Sequence, residues 1–361
     1  MRLALVTSWN ERCGIADYSG RLAAALEQHL PVEIVPVPLL AGPRPVYQAM
    51  ARALEIGDVA HVQHSYAFFG GLHPLRSRWS AFAGAVRRPL IVTVHELDLA
   101  ARGVRGLPAP LELAWKRWFN RSVFAHPAIR RWTVHAGEYV EALTGLGVPR
   151  ERVTYYSMPV PEPPARPGDG AAFQRRLGLE RRRVLVIPGF LTRRKGYEVA
   201  LEALRLLPEQ YVLVAAGGEH GADRSGTRAW LLGEAERLGV VGRFRITDYL
   251  SEPELEAATA AADLVLAPFR EMSASASLNH ALARGKAVVA SDLPENRRLP
   301  CVRLVPVGDA EKLARAIQET CETAVERTRL ERAAREYAAR HGFAALAEQL
   351  LELYRALAPG D

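Results

Sequence analysis

The sequence DLVLAPFREMSASASLNHALARGKAVVASD, residues 263–292, decides the fold class. It predicts a buried strand, a turn of small residues, a helix with Leu278, Ala281 and Leu282 on one face, and a second apolar strand after Gly285. Two apolar strands joined by a helix form a parallel unit whose sheet is covered by helices. The segment therefore predicts an α/β protein built on parallel sheets.

The same alternation of short apolar runs and helical patterns continues along the whole chain. In the first half it predicts strands at Leu3–Thr7, Val32–Val37, Val59–Gln63, Leu90–Val94, Arg131–His135 and Val153–Tyr156. In the second half it predicts strands at Val184–Pro188, Tyr211–Ala216, Arg243–Thr247, Asp263–Ala267, Ala287–Ala290 and Val302–Val305. Near-continuous Val, Ile and Leu runs indicate sheets that are buried on both faces.

The alternation breaks once, at residues 159–170, where PVPEPPARPGDG holds five prolines and two glycines. Such a composition is typical of a stiff, extended linker. The chain is also longer than one core usually organises. We therefore predict two doubly wound, Rossmann-like domains, residues 1–162 and 179–340, joined by a linker at 163–178. Residues 341–361 are predicted to form a last helix.

The composition is that of a globular protein from a reducing compartment. Hydrophobic residues make up 49% and charged residues 24% of the 361 residues, which argues against a disordered, collagenous or coiled-coil chain. Three cysteines without a C-x-x-C pair indicate neither a disulfide framework nor a zinc knuckle. The apolar run at the N-terminus is too short for a signal peptide or a membrane span. We therefore predict a cytoplasmic protein.

Positive charge is concentrated in one part of the first domain. The net charge is +7, and the stretch Arg76–Arg131 holds eleven Lys or Arg against three acids. Such a region suits phosphate-bearing substrates or anionic lipid headgroups. Within it, Leu111–Arg121 mixes Trp, Leu and Phe with basic residues, as an interfacial helix does, and an ordinary surface helix is the alternative. Peripheral contact with the inner face of the membrane is one expectation, whereas nucleic acid is disfavoured because no recognised binding module accompanies the charge.

Parallel sheets bind ligands at the carboxyl ends of their strands, and the turn after Asp263–Ala267 carries suitable residues. Small residues between Glu271 and Leu278 let the backbone approach a ligand closely. Ser273 or Ser275 is placed to cap the following helix, whose free N–H groups form a ready phosphate site. Glu271, just before the turn, is placed to accept hydrogen bonds from sugar hydroxyls.

This segment resembles the donor-site signature of glycosyltransferase family 4. That signature is a pair of glutamates with seven residues between them, followed by Ala, Gly-Lys and a Val-Val-Ala-Ser strand. Glu271 occupies the first glutamate position and Asn279 the second. In the family the first carboxylate contacts the transferred sugar and the second contacts the ribose, so the resemblance implies that Asn279 holds a ribose hydroxyl more weakly than a carboxylate would. It also implies donor-binding roles for the residues between them, which are Ser273, Ala274, Ser275, Ala276, Ser277 and Leu278.

A second stretch, PGFLTRRKGY at residues 188–197, resembles the family's loop in which an arginine and a lysine clamp the donor diphosphate. Lys195 matches the family lysine. Phe190 stands at the arginine position, where Arg193 or Arg194 would have to substitute. Two cations neutralise a departing diphosphate as a bound metal does elsewhere, and the chain has no Asp-x-Asp motif. The resemblance therefore implies a metal-independent reaction with no cofactor and no metal site.

The opening loop of the first domain carries a weaker match. TSWNERCGIADYS, residues 7–19, resembles the family's loop in which Gly-Ile precedes the first helix. Gly14 would let the backbone approach the diphosphate or the acceptor. Asp17 and Tyr18, in the first helical turn, would face the acceptor.

Histidines supply the last match. His95 follows the apolar strand Leu90–Val94, and the family commonly carries a histidine there, close to the transferred sugar. His64 lies in a further loop that resembles the family and is an acceptor-side candidate. For His61 and His64, however, a place in the core is the more ordinary role.

The resemblance covers nearly the whole chain and implies a GT-B fold, with two Rossmann-like domains facing a central cleft. In the family the last helix often crosses back onto the N-terminal domain, and Phe343–Ala358 is the candidate here. It implies a retaining glycosyltransferase that moves a hexose from a nucleotide diphosphate sugar to a hydroxyl acceptor. Catalytic roles fall to His95, Lys195 and Glu271, and the departing phosphate accepts the proton of the acceptor. The basic region favours a phosphate-bearing or lipid-linked acceptor.

Two other functions compete with this one. A catalytically inactive relative, which binds nucleotide sugar or serves as a partner subunit, is the main alternative, because Phe190 and Asn279 depart from the signature. A Rossmann-type oxidoreductase or epimerase is disfavoured, since G-x-G-x-x-G would have to follow the first strand and Ser8–Gly14 contains only Gly14.

Overall fold

The computed structural model describes residues 1–11, 13–39, 41–73, 75–101, 108–164, 166, 168–219, 226–271 and 275–358. It divides the chain into two compact units. Unit 1 comprises Met1–Met158 together with Phe343–Asp361, and unit 2 comprises Pro159–Gly342. The first unit is thus built from two separate segments of the chain.

Unit 1 is a six-stranded parallel sheet with the spatial order β2-β1-β3-β4-β5-β6. Its strands are Leu3–Thr7 (β1), Val32–Pro36 (β2), Val59–His64 (β3), Leu90–Val94 (β4), Ile129–Val134 (β5) and Val153–Tyr155 (β6). Its helices are Gly14–Leu26 (α1), Arg44–Ala53 (α2), Trp79–Ala83 (α3), Ala109–Phe124 (α4), Gly137–Gly145 (α5) and, from the end of the chain, Phe343–Leu357 (α13).

Helices cover both faces of this sheet because alternate side chains of a strand point to opposite sides. Leu3 and Leu5 of β1 pack in a cluster with residues of α1 and α13. Ala4 and Val6 pack in the other cluster, which contains residues of α2, α3, α4 and α5. Every residue of β1 is therefore buried, and its sequence shows an apolar run rather than an alternation.

Unit 2 repeats this plan with the order β12-β11-β10-β7-β8-β9, all pairs being parallel. Its strands are Arg183–Pro188 (β7), Tyr211–Ala216 (β8), Phe244–Ile246 (β9), Leu264–Ala267 (β10), Val288–Ser291 (β11) and Val302–Val305 (β12). Its helices are Gly170–Leu177 (α6), Tyr197–Leu206 (α7), Thr227–Arg237 (α8), Glu252–Ala261 (α9), Ala276–Ala283 (α10), Ala310–Glu322 (α11) and Ala324–Arg340 (α12).

The region predicted as a linker, residues 163–178, differs from an extended chain in its second half. The Asp169 side chain accepts a hydrogen bond from Ala172 N at 2.8 Å and so begins α6. Gly168 and Gly170 lie so close to α9 that a Cβ on either would come within 2.4 to 2.7 Å of its backbone. This helix therefore packs as part of unit 2.

The boundary between the units falls at Met158 and Pro159 and again at Gly342 and Phe343. Inside unit 2 the two ends meet, because Val160 N donates a hydrogen bond to His341 O at 2.8 Å. Among the residues that the structure describes, no helix combines the length and apolar character needed to cross a bilayer.

Candidate functional site

The carboxyl end of β7 brings the Lys195 ammonium next to the start of α10. Gly189 (φ +89°) lies beside both: a Cβ added there would be 2.8 Å from Lys195 Nζ and 3.4 Å from Ser277 Cβ. β7 is the first strand of unit 2 in sequence and lies between β8 and β10 in the sheet. The strand order therefore reverses at β7: β8 and β9 follow on one side, and β10, β11 and β12 on the other. Such a switch point is where open α/β sheets bind ligands. Lys195 and Ser277 thus lie together at this position.

The first turn of α10 presents two backbone N–H groups. Ser275 caps the helix: its Oγ accepts a hydrogen bond from Leu278 N at 3.2 Å, and its carbonyl oxygen accepts one from Asn279 N at 3.1 Å. Within the part of the chain that the structure describes, the N–H groups of Ala276 and Ser277 make no hydrogen bond. Together with the positive end of the helix dipole, they favour an anion. The N–H group of Leu278 is used by the cap, and its side chain packs in the core.

Lys195 is a cation held in a place that disfavours its charge. Its Nζ donates a hydrogen bond to the Pro188 carbonyl oxygen. Burial, together with the smaller effect of the positive charge of Arg194, lowers the pKa of the Lys195 ammonium to about 7. Because a nearby anion favours the charged form, a bound diphosphate would restore the ammonium and be attracted by it.

The loop that carries Lys195 is fastened to the loop before α10. Gly196 (φ +65°) touches the second loop so closely that a Cβ would lie 1.9 Å from Pro268 O. Arg270 N donates a hydrogen bond to Arg194 O at 2.8 Å, and Arg270 Nε lies 2.6 Å from Glu198 Oε1. These contacts fix the ammonium relative to the first turn of α10.

Arg193 and Arg194, the two candidates for a second cation, lie in different environments. The Arg193 guanidinium stacks on the Trp230 ring, 4.3 Å from its centroid, and so belongs to a contact with α8. Arg194 is exposed beside Lys195. Phe190, at the family's arginine position, is 43% exposed, and its ring centroid lies 6.4 Å from that of Tyr249, which is 63% exposed.

The remaining donor candidates are placed differently. Glu271 is exposed at the end of the loop after β10. Asn279 is buried, and its Nδ2 donates a hydrogen bond to the Pro159 carbonyl oxygen at 3.2 Å. Asn279 thus contacts Pro159, the first residue of unit 2. The position of Asn279 in the sequence did not suggest this contact. Ser273 and Ala274 lie outside the described residues.

In unit 1, His95 lies at the carboxyl end of β4 and belongs to a hydrogen-bonded chain. Its Nε2 lies 2.7 Å from Gln63 Oε1, and Gln63 Nε2 lies 3.5 Å from His61 Nε2. His61 Nδ1 lies 2.6 Å from the Tyr354 hydroxyl of α13, and His61 Nε2 lies 2.7 Å from Thr93 Oγ1. Sequence reasoning missed Gln63 and Tyr354 as parts of the site. The only local signal was that His61 and Gln63, two residues apart on β3, share one face of the sheet.

Burial keeps these histidines neutral. It lowers the pKa of His61 to about 3 and that of His135 to about 4. Burial also lowers the pKa of His95 well below its usual value, and the charges of His135, His61 and His64 act in the same direction. At neutral pH each imidazole therefore has one nitrogen that donates and one that accepts.

Tyr18 supports His95 from the side instead of facing outward. His135 Nδ1 donates to the Tyr156 carbonyl oxygen at 3.0 Å, so its Nε2 accepts from the Tyr18 hydroxyl at 2.8 Å. The Tyr18 ring meets the His95 ring edge to face, with centroids 5.0 Å apart. Asp17 and Gly14, by contrast, are exposed in the first turn of α1.

His64 lies in the core, which is the more ordinary of the two roles that the sequence left open for it. Its side chain is buried and surrounded by the rings of Tyr66, Phe69, Trp79 and Phe124. Its Nδ1 is buried and has no hydrogen-bond partner among the residues that the structure describes. The ring therefore acts as part of an aromatic cluster and does not reach a ligand on the surface.

Lys116 is also buried, although the sequence counted it in the basic region. Its Nζ lies 3.0 Å from both Asp98 Oδ2 and Glu112 Oε1 and donates to Ala100 O at 2.6 Å. This network ties α4 to the loop that follows His95. The exposed charge of α4 comes instead from Arg117 and Arg121.

Metal-ligating side chains do not gather in the described ranges: no group of three His, Cys, Asp or Glu there is arranged to hold an ion.

Two parallel six-stranded units, each with candidate residues at the carboxyl ends of its strands, form the GT-B architecture of glycosyltransferases. Residues 182–323 match the family model described as glycosyl transferases group 1. No curated protein matches the sequence. The match covers most of unit 2, which holds Lys195 and α10, and supports a glycosyltransferase.

Solved structures agree over the whole length of the chain. HepE from Anabaena, in complex with UDP-glucose, is 17% identical with a TM-score of 0.76, covering 99% of this chain and 100% of that one. Sucrose-phosphate synthase from Thermosynechococcus elongatus is 18% identical with a TM-score of 0.74, covering 99% and 98%. WaaG, a glycosyltransferase involved in lipopolysaccharide biosynthesis, is 16% identical with a TM-score of 0.67, covering 100% of both. At these identities the likeness shows the GT-B fold.

Proposed function

We propose that this protein is a retaining, metal-independent glycosyltransferase that moves a hexose from a nucleotide diphosphate sugar to a hydroxyl acceptor. The observation that carries the proposal is the position of the Lys195 ammonium beside the first turn of α10, with Gly189 leaving room between them. A poorly solvated cation, two available N–H groups and a helix dipole converge there. A diphosphate is the ligand that satisfies all three.

The reaction breaks the bond between the anomeric carbon and the diphosphate oxygen and forms one to the acceptor oxygen. Lys195 and the α10 amides stabilise the charge that develops on the departing diphosphate. Glu271 accepts hydrogen bonds from the sugar hydroxyls, and His95 takes the catalytic role that the resemblance to the family implies for it. The proton of the acceptor hydroxyl passes to the departing phosphate, so no covalent nucleophile is required of the protein.

Metal independence is supported by the charge that the protein itself supplies. Lys195, the exposed Arg194 and the dipole of α10 act on the same group, as a divalent ion would in other transferases. The test is to measure donor binding and transfer with and without EDTA. Equal values are expected, and a rate that EDTA abolishes and magnesium or manganese restores would overturn this part of the proposal.

A thermal-shift screen identifies the donor. UDP, GDP, ADP and TDP are compared with their common sugars, beginning with UDP-glucose, which HepE binds. A ligand at one hundred times its dissociation constant adds about 2.7 kcal/mol to the free energy of unfolding. We expect one nucleotide to give this shift and Lys195→Met to reduce it.

Lys286→Met is the matched control. Lys286 Nζ is also largely enclosed and donates to carbonyl oxygens, at 2.8 Å to Ala260 O and 2.9 Å to Ala262 O. Both variants lose a lysine of unit 2, and Lys286→Met should leave the nucleotide shift intact. If one nucleotide binds but no acceptor is glycosylated and no donor is hydrolysed, the inactive relative is the better function.

For the acceptor we propose a phosphate-bearing or lipid-linked hydroxyl compound. The exposed Arg117 and Arg121 of α4 support it, because they form a basic surface on unit 1. Transfer rates on an acceptor series with and without a phosphate group test this. Equal rates on both members of a pair would overturn it.

We further propose that the protein works in the cytoplasm and contacts the inner face of the membrane through α4. Leu111 and Trp118 are each 58% exposed, and with the exposed Ala114 they follow the i, i+3, i+7 spacing of one helix face. Arg117 and Arg121 lie next to this stripe. An apolar stripe flanked by arginines is typical of a helix that rests on an anionic bilayer.

Sedimentation with vesicles tests the membrane contact. We expect binding to vesicles that contain phosphatidylglycerol, weaker binding to pure phosphatidylcholine, and loss of binding in Trp118→Ala. Leu206→Ala, which removes an exposed apolar side chain of unit 2, is the control. Trp118→Ala binding as well as the control would rule out α4 as the contact.

A further inference from the structure

The last helix of the chain reaches the surroundings of His95 at two points. At its first residue, the Phe343 ring packs against the Tyr18 ring with centroids 5.4 Å apart, and Tyr18 in turn meets the edge of His95. Eleven residues later, the Tyr354 hydroxyl lies 2.6 Å from His61 Nδ1. The first contact restrains the ring of His95 by packing, and the second reaches it through hydrogen bonds.

The hydrogen-bonded route is short and buried. Tyr354 and His61 are fully buried, and Gln63 connects His61 to His95 at 3.5 Å and 2.7 Å. Among the described residues His95 Nδ1 makes no hydrogen bond, so Gln63 is the hydrogen-bonding partner of its imidazole. Whatever fixes Gln63 therefore also fixes the orientation of His95.

We propose that Tyr354 is a positioning residue for His95: acting through His61 and Gln63, it selects which imidazole nitrogen of His95 carries the proton. A neutral imidazole has one donor and one acceptor nitrogen, and the amide of Gln63 has one donor end and one acceptor end. Gln63 Nε2 faces His61 Nε2, which accepts its hydrogen bond, so His61 Nδ1 carries the proton and donates it to the Tyr354 oxygen. The Tyr354 oxygen thereby stabilises this tautomer of His61. That tautomer sets which end of the Gln63 amide faces His61, and so which end faces His95.

The energy that enforces this selection is the cost of a mismatched buried pair. If two donors or two acceptors faced each other in this chain, one buried group would be left unsatisfied at a cost of about 1–3 kcal/mol. Such a cost keeps one proton arrangement dominant, in the way that hydrogen-bonded partners fix the tautomer of a ligating histidine. Without the Tyr354 hydroxyl, the arrangement at His61 is set only by Thr93 and Gln63.

The inference rests on the proposed function only for its kinetic part. Nitrogen NMR of the imidazoles in the full, ligand-free chain reads the tautomer of His95 directly, and His95→Gln assigns its signals. We expect one tautomer in the native protein and a mixture of both, or the other form, in Tyr354→Phe. Unchanged His95 signals in Tyr354→Phe would overturn the proposal.

Tyr47→Phe is the matched control. Tyr47 is fully buried in the same unit and its hydroxyl donates to Phe68 O at 2.5 Å, but that bond has no link to His95. It should cost similar stability and leave the His95 signals unchanged. Gln63→Leu breaks the chain at a second place, and combining it with Tyr354→Phe should add nothing to the change in the His95 signals.

The kinetic arm follows once a donor is known. Tyr354→Phe should lower kcat about tenfold, the scale of one mispaired buried hydrogen bond. It should leave the donor Kd unchanged, because Lys195 and the first turn of α10, which are proposed to hold the diphosphate, lie in unit 2. A kcat equal to that of Tyr47→Phe would contradict the proposal. If the native protein binds no nucleotide and transfers no sugar, the proposed function fails, while the NMR result still decides whether Tyr354 positions His95.

Discussion

At the scale of single residues, Lys195 stands out because its charge has no carboxylate to balance it. Among the described residues it forms no ion pair, and its ammonium has the Pro188 carbonyl oxygen as a hydrogen-bond acceptor. A structural lysine in such a place would gain from a neighbouring Asp or Glu, as Lys116 does from Asp98 and Glu112. In the proposed function, the anion that balances the charge of Lys195 is the diphosphate of the donor.

The first prediction concerns the proton that Lys195 takes up. In the free protein its pKa is about 7, so at pH 8 the side chain is mostly neutral. A bound diphosphate raises that pKa, and binding of a nucleotide sugar at pH 8 should therefore take up close to one proton. At pH 6 the uptake should be small, because the ammonium is already charged. Calorimetry in buffers with different heats of ionisation measures the uptake.

The nucleotide sugar is used because its diphosphate does not titrate between these two pH values. Lys195→Met should abolish the difference between pH 8 and pH 6, and Lys286→Met should retain it. Proton uptake that is the same in Lys195→Met and in the native protein would place the titrating group elsewhere.

The second prediction concerns His64. Burial lowers the pKa of His64 to about 3, and its Nδ1 has no partner in the aromatic cluster. Replacing it with phenylalanine removes an unsatisfied buried nitrogen, so His64→Phe should raise the free energy of unfolding by about 1 kcal/mol. Transferase activity should stay at the native level. Urea unfolding measures the first quantity, and lost activity at unchanged stability would return His64 to the acceptor side.

The surroundings of single side chains were the hardest feature to predict from the sequence. A histidine at the end of an apolar strand looks the same whether it joins a hydrogen-bonded chain, as His95 does, or an aromatic cluster, as His64 does. The pair His61 and Tyr354 is separated by 293 positions, and no local pattern signals a contact over that distance. The sequence around Lys116 is typical of a surface helix. Its ammonium can be buried because Asp98 and Glu112 form ion pairs with it.

At the scale of secondary structure, the important contact is between the loop after β7 and the loop after β10. The left-handed backbone of Gly196 allows Pro268 O to lie where a side chain would begin. This is the physical reason for glycine after the lysine. The loop holds Lys195 only as long as that close approach is kept.

The third prediction tests this close approach with Gly196→Ala. The variant suffers both a positive φ of 65° and a collision with Pro268 O, so it should lose more than 1 kcal/mol of stability and bind nucleotide at least several-fold more weakly. Gly178→Ala is its control, since Gly178 has the same φ and no atom within 4 Å of an added Cβ. Circular dichroism melts and nucleotide titrations compare the two. Equal losses in both variants would show that the φ angle alone matters.

Helices and strands were predictable where burial is continuous. The runs Leu3–Thr7 and Tyr211–Ala216 are buried at every position, and such runs leave little choice but a parallel strand. The helix α6 was not predicted, because its proline-rich surroundings dominate the composition of that stretch. Its start depends on the Asp169 cap and on the close approach of Gly168 to α9, which only the tertiary structure reveals.

At the scale of the whole molecule, the histidines with lowered pKa values concentrate in unit 1. His61, His64, His95 and His135 all belong to it, and burial lowers the pKa of each below the unfolded value of about 6.5. In the unfolded chain they bind protons at a pH where the folded unit excludes them.

The fourth prediction is that acid destabilises unit 1 before unit 2. Between pH 6.5 and the folded pKa values of about 3 to 4, the unfolded state binds more protons, so stability is fully present above pH 6.5 and falls as the pH decreases. Hydrogen exchange at pH 7 and pH 5, corrected for intrinsic rates, should show larger losses of protection in Met1–Met158 than in Pro159–Gly342. Equal losses in the two units would contradict the assignment.

Because unit 1 consists of two separate segments, the order of synthesis differs from the order in which the two units can finish folding. Translation supplies all of unit 2 as one stretch, whereas unit 1 waits for Phe343–Leu357, which follows unit 2 in the sequence. Until then, the apolar surface of α1 that α13 covers is exposed to solvent. The domain that is synthesised first is therefore completed last, and a stop codon that removes only the final helix would leave the earlier domain unfinished beside an intact one.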